Sequence, residues 1–417
     1  MTSIWTLVGL LGLAYLGSAM LGPRGAARFG LSSGVEFVLL GVAIGPLVLG
    51  VLDRSTVGAF ESLGGVATGW FALLIGLGFG WADRRRVPAR SLILGIVIGL
   101  VTGASIGGAL YGVLGLTRTL TGADRLLVAG GVGAACAGTT RHVARWMVAR
   151  HGARGALLRL VAEIADADDA AAIIATGVLF ALHPTGEAGV RLAPWSWGAL
   201  SVGLGATLGL TATALLGRDF RLDASWGTLL GTGLLGIGLS AQLGLSPLTT
   251  MFAMGLTIAL VSRHRAEIVE MTRPTERAVL LPALVLAGAK VDVGAPSLIA
   301  LVVTTALVRV LVKSGAGLLL RGAIGPRVPA WVGIGLVPTG GLSISVALSF
   351  ALRFPGRVGD AVLATSAAML AIGELIGPPA LRAALDAAGE LRKDGPSSLG
   401  SMPSMHSVPP PPPETSR

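Results

Sequence analysis

The sequence predicts an all-α polytopic membrane protein with about 13 transmembrane helices. Three observations carry this prediction. Hydrophobic residues make up 53% of the chain and charged residues only 13%, about half the charge of an ordinary soluble domain. Apolar runs long enough to cross a bilayer follow one another almost to the C-terminus. Lys and Arg sit in the short loops between those runs and crowd into alternate loops. The 63 glycines lack collagen periodicity and fit closely packed membrane helices. A formal charge of +10 does not indicate a nucleic-acid partner, because the membrane explains where the basic residues lie. The single cysteine, Cys136, excludes an intrachain disulfide and a cysteine-cluster metal site.

In chain order, the first five spans run over about 4–20, 32–52, 63–82, 91–115 and 124–147. The N-terminal run lacks a basic flank and a small-residue cleavage site, so it reads as an uncleaved first span. A sixth, acidic helix covers about 157–182, and spans at about 195–216, 225–241 and 246–262 follow. The last four lie at about 278–292, 296–320, 329–352 and 359–381. Placing the N-terminus outside gives the cytoplasmic loops most of the arginines, including Arg84, Arg85, Arg86, Arg141, Arg145 and Arg150. The outer loops then hold few, among them Arg54, Arg118, Arg191 and Lys290. This asymmetry predicts an external N-terminus, a cytoplasmic C-terminus and an odd number of spans. Residues 389–417 are polar and proline-rich and read as a disordered cytoplasmic tail.

The sixth span carries Glu163, Asp166, Asp168 and Asp169 within VAEIADADDAAAIIATGVLFAL. Each charged carboxylate at the centre of a lipid-facing helix costs about 2.5–3.5 kcal/mol. The acids must therefore face protein or a water-filled cavity. They do not belong to an aqueous loop, because AAAIIATGVLFAL alone is too short to cross a bilayer. Asp168 and Asp169 fall near mid-span, and an adjacent carboxylate pair at that depth marks an ion or proton site. Glu163 and Asp166 follow the same helix face at three-residue spacing toward the predicted cytoplasmic end. They form an acidic funnel or pair with Arg154 or Arg159.

Two other spans read as broken helices. GGVGAACAGTTRH is glycine-rich, with Gly138, Thr139 and Thr140 at its centre. GIGLVPTGGLSISVAL is interrupted by Pro338, Gly340 and Gly341. Proline removes a backbone donor and glycine weakens a helix, so both stretches can unwind and offer free carbonyls and half-helix ends. Paired interrupted segments point to a transporter's binding site.

Segments in sequential order resemble the membrane domain of the second cation/proton antiporter family. These are FGLSSGVEFVLLGVAIGPLVLG, GWFALLIGLGF, LGLSPLTTMFAMGLTIAL, LLPALVLAGAKVDV and ELIGPPALRAALDAAGE. That family includes bacterial sodium/proton antiporters and potassium efflux systems. The resemblance sets Asp169 at its essential aspartate, Asp168 at the residue before it, and Thr139 and Thr140 in its unwound stretch. For its membrane-embedded lysine, Lys313 fits best, with Arg309 one turn away as the alternative and Lys290 as an interfacial residue. Many relatives carry a glutamate directly after the Gly pair, where this chain has Leu342.

The resemblance implies a transmembrane domain over about 1–388, built from two inverted repeats with two crossing discontinuous helices. Scaffold and dimer helices would lie at about 1–82 and 225–292, a linking helix at about 195–216, and ion-carrying core helices at about 91–182 and 296–388. It implies a homodimer in the cell membrane that exchanges Na⁺, Li⁺ or K⁺ for H⁺ at Asp168 and Asp169. Such a protein is not an enzyme and needs no cofactor, its ligands being monovalent cations and protons. Two neighbouring carboxylates in a low-dielectric site cannot both ionise cheaply, so protons and a cation compete. In the family, an acid before the essential aspartate accompanies electrogenic exchange, and this chain has that acid. The alternatives are a sodium-coupled organic-solute symporter, an intramembrane aspartyl protease and a cation channel.

Overall fold

The computed structural model describes residues 34–391 apart from 80–88, 118–119, 185–191, 218–221, 295–296 and 327. The expected first span and residues 392–417 of the expected tail lie outside the described residues. All regular structure among the described residues is helical.

The first three helices are α1 (Val35–Ile44), α2 (Arg54–Ala59) and α3 (Glu61–Gly78). The expected span at about 32–52 is helical only over α1, which ends at Gly45 before Pro46. Asp53 then caps α2 by accepting from the Thr56 backbone N–H at 2.8 Å. Hydrogen bonds from Thr56 and Ser55 hold its carboxyl below the usual carboxylate range. Next come α4 (Ala89–Thr117), α5 (Gly122–Ala135), α6 (Arg141–His151) and α7 (Ala156–Leu182). The second half contains α8 (Pro194–Leu216), α9 (Leu222–Gln242), α10 (Pro247–Val261), α11 (Arg265–Thr272) and α12 (Thr275–Lys290). It closes with α13 (Leu298–Ile324), a 3₁₀ helix over Ala330–Leu336, α14 (Gly341–Arg353) and α15 (Arg357–Ala387).

Small residues set the closest crossings. Gly76 of α3 faces Phe252 O of α10, and Gly255 of α10 faces Leu73 O of α3. A side chain at either glycine would run into the opposing backbone, so this crossing needs glycine on both helices. Alongside it α1 packs on α12, and α8 bridges α10 and α7. A second group forms where α4 packs against α5, α7 and α13, while α15 packs against α14 and the 3₁₀ helix.

Helix α13 shows which solvent the bundle expects. Ile299, Val303, Leu307, Leu311 and Leu318 are exposed, whereas Thr305, Arg309 and Lys313 are fully buried. A water-soluble helix has the opposite polarity, with apolar residues inward and charges outward. Five helices among the described residues are long and apolar enough to cross a membrane, and the bent 3₁₀–α14 pair makes a sixth candidate. The first of the 13 expected spans lies outside the described residues, and part of the remaining difference has physical causes. Charge density disqualifies the acidic helix, the breaks shorten two spans, and α1 and α10 are short apolar helices.

Candidate functional site

Helix α7 runs unbroken from Ala156 to Leu182, so its acids are embedded in a continuous helix as the sequence predicts. Its start is fixed by the chain's far end. The backbone N–H groups of Leu157 and Leu158 donate to the Glu390 carboxylate at 2.7 and 2.9 Å. A carboxylate on the free N–H groups of a helix start satisfies donors and favours the helix dipole. Glu390, expected in the disordered tail, therefore belongs to the folded part of the chain.

Both predicted breaks are present. Cys136–Thr140 separates α5 from α6, and Val337–Gly340 separates the 3₁₀ helix from α14 across a bend of 52°. The breaks touch. The Thr140 backbone N–H donates to Pro338 O at 3.1 Å, and Thr139 Oγ1 donates to Leu336 O at 3.1 Å. Gly340 makes this approach possible, since a Cβ there would lie 2.6 Å from Thr140 Oγ1.

The neighbouring helix supplies two buried cations with different partners. Lys313 Nζ donates to Asp168 Oδ2 at 3.0 Å and to Thr139 Oγ1 at 2.8 Å. The Thr139 backbone N–H donates to Asp168 Oδ1 at 2.8 Å, and neither Asp168 nor Lys313 has exposed side-chain surface. Arg309 takes the backbone instead. It donates to Val337 O at 2.7 Å, Gly138 O at 2.6 Å, Pro338 O at 3.4 Å and to Cys136 O. One guanidinium thus ties the unwound carbonyls of both breaks together. Its five fixed donors suit that task better than an ammonium. Of the two candidates for the carboxylate partner, Lys313 fills that place and Arg309 does not.

Asp169 faces the other way. Its Oδ2 lies 3.6 Å from Arg141 Nη2, and Asp166 Oδ1 lies 3.3 Å from Arg141 Nη1. Asp169 lines a cavity of about 20 Å³ with Gly138, Thr139, Thr140, Glu276 and Ser343, room for one water-sized occupant. Gly138 keeps the wall close, since a Cβ there would sit 3.2 Å from Asp169 Oδ1. Ser343 is buried at the start of α14, and its Oγ has no hydrogen-bond partner among the described residues. Glu276 enters from α12 of the other helix group, with Oε1 3.8 Å from His142 Nε2.

The structure therefore gathers Gly138, Thr139, Thr140, Asp168, Asp169, Lys313, Pro338, Gly340 and Gly341 at one crossing. Asp166 stands beside it, held by Arg141 rather than by Arg154 or Arg159. Glu163 is half-buried and makes no ion pair among the described residues. Lys290 sits at the opposite end of α12 from Glu276 and pairs with Glu61. Arg141, Glu276 and Ser343 are absent from the sequence-derived site. Arg141 offered a signal, because an arginine immediately after the Thr pair lies too deep for an ordinary loop residue. Ser343 stands two positions after the Gly pair, on the first turn of the half-helix. Glu276 offered none, lying far along the chain beside a run of loop arginines.

Neither a protein-family model nor a curated protein sequence matches the chain. Solved structures do. The sodium proton antiporter MjNhaP1 from Methanocaldococcus jannaschii at pH 8 has a TM-score of 0.70 at 18% identity, over 93% of this chain and 100% of that one. A second structure of the same antiporter, from an electron-microscopy map, has a TM-score of 0.66 at 17% identity, over 94% and 99% of the two chains. The likeness establishes the fold, that of an all-α polytopic membrane protein.

Proposed function

We propose that the chain is a secondary active transporter exchanging a monovalent cation, Na⁺ in the first instance, for H⁺ by alternating access. One observation carries this reading. Two adjacent carboxylates sit inside a continuous helix where two broken helices cross, with one paired to buried Lys313 and the other open to a small cavity. Asp169, Thr140, Ser343 and nearby backbone carbonyls are hard oxygen donors of the kind that suit Na⁺ or Li⁺. A proton on Asp169 removes its charge, so proton and cation exclude each other. A bare carboxylate in a closed low-dielectric site is costly, so the carrier moves loaded with one or the other. Asp168 and Lys313 add a second titratable centre, which allows a net charge to move in each cycle.

The cavity volume favours this reading over a symporter of organic solutes, whose sites need several hundred Å³. A protease would place its two aspartates on different helices, whereas here they are consecutive. The loop arginines assign the Glu163 end of α7 to the cytoplasm. The family resemblance of the sequence implies a homodimer in the cell membrane, assembled through the group of helices that contains α1–α3 and α9–α12.

The test is transport in proteoliposomes. Adding Na⁺ should collapse an imposed pH gradient without any organic substrate, and a potassium–valinomycin potential should alter the rate. Exchange that ignores the potential would mean one proton per cation and a structural Asp168. No response to Na⁺, Li⁺ or K⁺ would end the exchange reading.

A further inference from the structure

We propose that Arg141 is a resident competitor at the ion site, a tethered guanidinium that occupies Asp169 when no transported cation does. The inference deepens the exchange reading and rests on it for the identity of the displaced ion.

The position of Arg141 is unusual for a cation. It is the first residue of α6, where the free N–H groups of the helix start already carry positive partial charge. Two α7 carboxylates hold it there, Asp166 at 3.3 Å and Asp169 at 3.6 Å, with its side chain 19% exposed. Both contacts are longer than the 3.0 Å contact between Lys313 and Asp168. Three of the basic residues around the breaks thus differ in kind. Lys313 and Arg309 are fully buried and committed to short hydrogen bonds, whereas Arg141 spans two acids loosely at the rim of the cavity.

Space is the second observation. The cavity beside Asp169 holds one water-sized occupant. A cation stripped of water needs oxygens on several sides, and the guanidinium occupies one approach to Asp169. For an ion to bind, Arg141 must leave Asp169. Asp166 gives it somewhere to stay, because Asp166 lies one turn away on α7 and is 42% exposed. Glu276 stands across the same cavity on α12 as a second acceptor. When the ion departs, the arginine returns and holds Asp169 only while the site is open to water; the crossing step still requires Asp169 to carry a cation or a proton. The cost of this arrangement is a weaker apparent affinity for the transported cation.

The test reads binding apart from transport, using radioactive Na⁺ on the purified full-length protein. Arg141→Gln removes the competitor, and half-saturation should fall to about one tenth of the Na⁺ concentration the unmutated chain needs. Arg141→Lys keeps a point charge that cannot bridge both carboxylates, and its half-saturation should fall by about threefold. Half-saturation that is unchanged or raised in either assembled variant overturns the proposal. If Arg141→Gln does not assemble, Arg141→Lys decides alone. Tighter Na⁺ binding in the variants, with no cation-driven proton movement by the unmutated chain, would keep the competitor and remove the exchange reading. Exchange in the unmutated chain without a shift in binding would do the reverse. A chain that binds none of Na⁺, Li⁺ and K⁺ overturns both.

Discussion

Asp168 is sealed between Thr139 and Lys313 with no exposed surface, whereas Asp169, the next residue, opens onto a cavity and shares Arg141 with Asp166. Consecutive residues on a helix point about 100° apart. Because α7 continues unbroken through the pair, that rotation aims one acid at α13 and the other at the boundary between the two helix groups. The same chemical group thus meets two environments. One carboxylate is neutralised by a buried amine and built into the crossing, and the other stands where an ion can reach it. On the proposed exchange reading the two consecutive acids are therefore not a symmetric clamp: Asp169 is the one an ion reaches directly, and the charge of Asp168 is tied to that of Lys313.

The largest effect that would test this contrast is Asp169→Asn. It should abolish Na⁺-dependent proton movement in everted vesicles while the protein still assembles in the membrane. Removing this carboxylate leaves only Arg141, which retains Asp166, so thermal stability should hold or rise slightly. Residual exchange near the unmutated rate would move the exchangeable charge elsewhere.

Asp168→Asn should act differently. It leaves the buried Lys313 ammonium without a counter-charge, and the amide offers one acceptor oxygen where the carboxylate used two, for Lys313 Nζ and for the Thr139 N–H. Breaking a buried pair on one side costs about 3–5 kcal/mol, so the melting temperature should drop well below that of Asp169→Asn. Adding Lys313→Met should recover most of the loss, because an apolar side chain of similar length carries no charge to bury. A double variant no more stable than Asp168→Asn alone would show that the pair is not what holds the crossing.

How far the sequence discloses this contrast depends on the kind of signal each residue leaves. Carboxylates inside an apolar run are conspicuous, so Asp168 and Asp169 stand out at once. Gly138, Pro338, Gly340 and Gly341 are visible because helix-breaking chemistry is intrinsic to the residue. Lys313 is singled out by the family resemblance, but the separate job of Arg309 is not. Backbone carbonyls carry no residue signature, and only the geometry of two touching breaks reveals four of them around one guanidinium. Arg141 reads in sequence as one of the loop arginines that set orientation, and its pairing with Asp166 and Asp169 depends on where the break ends. The short helices α2 and α11 are too short and too polar to register as apolar runs. Glu390 lies where composition turns polar, and its cap on α7 is a contact between the two ends of a long stretch of chain.

The smallest effect sharpens the comparison from outside the pair. Glu163 lies six positions before Asp169, about 9 Å along the helix, and lacks the arginine that compensates Asp166. It touches nothing in the cavity, so it acts on an approaching cation only through its field. Such an effect is screened over about 8–10 Å at ordinary ionic strength. Glu163→Gln should therefore raise the Na⁺ concentration for half-maximal exchange by about twofold in low-salt buffer. The shift should vanish when an inert salt of a large organic cation is added to both sides. Rate measurements at two ionic strengths separate this from a direct contact. A shift that persists in high salt would mean that Glu163 meets the ion itself, and the exchangeable site would then extend beyond Asp169 toward that end of α7.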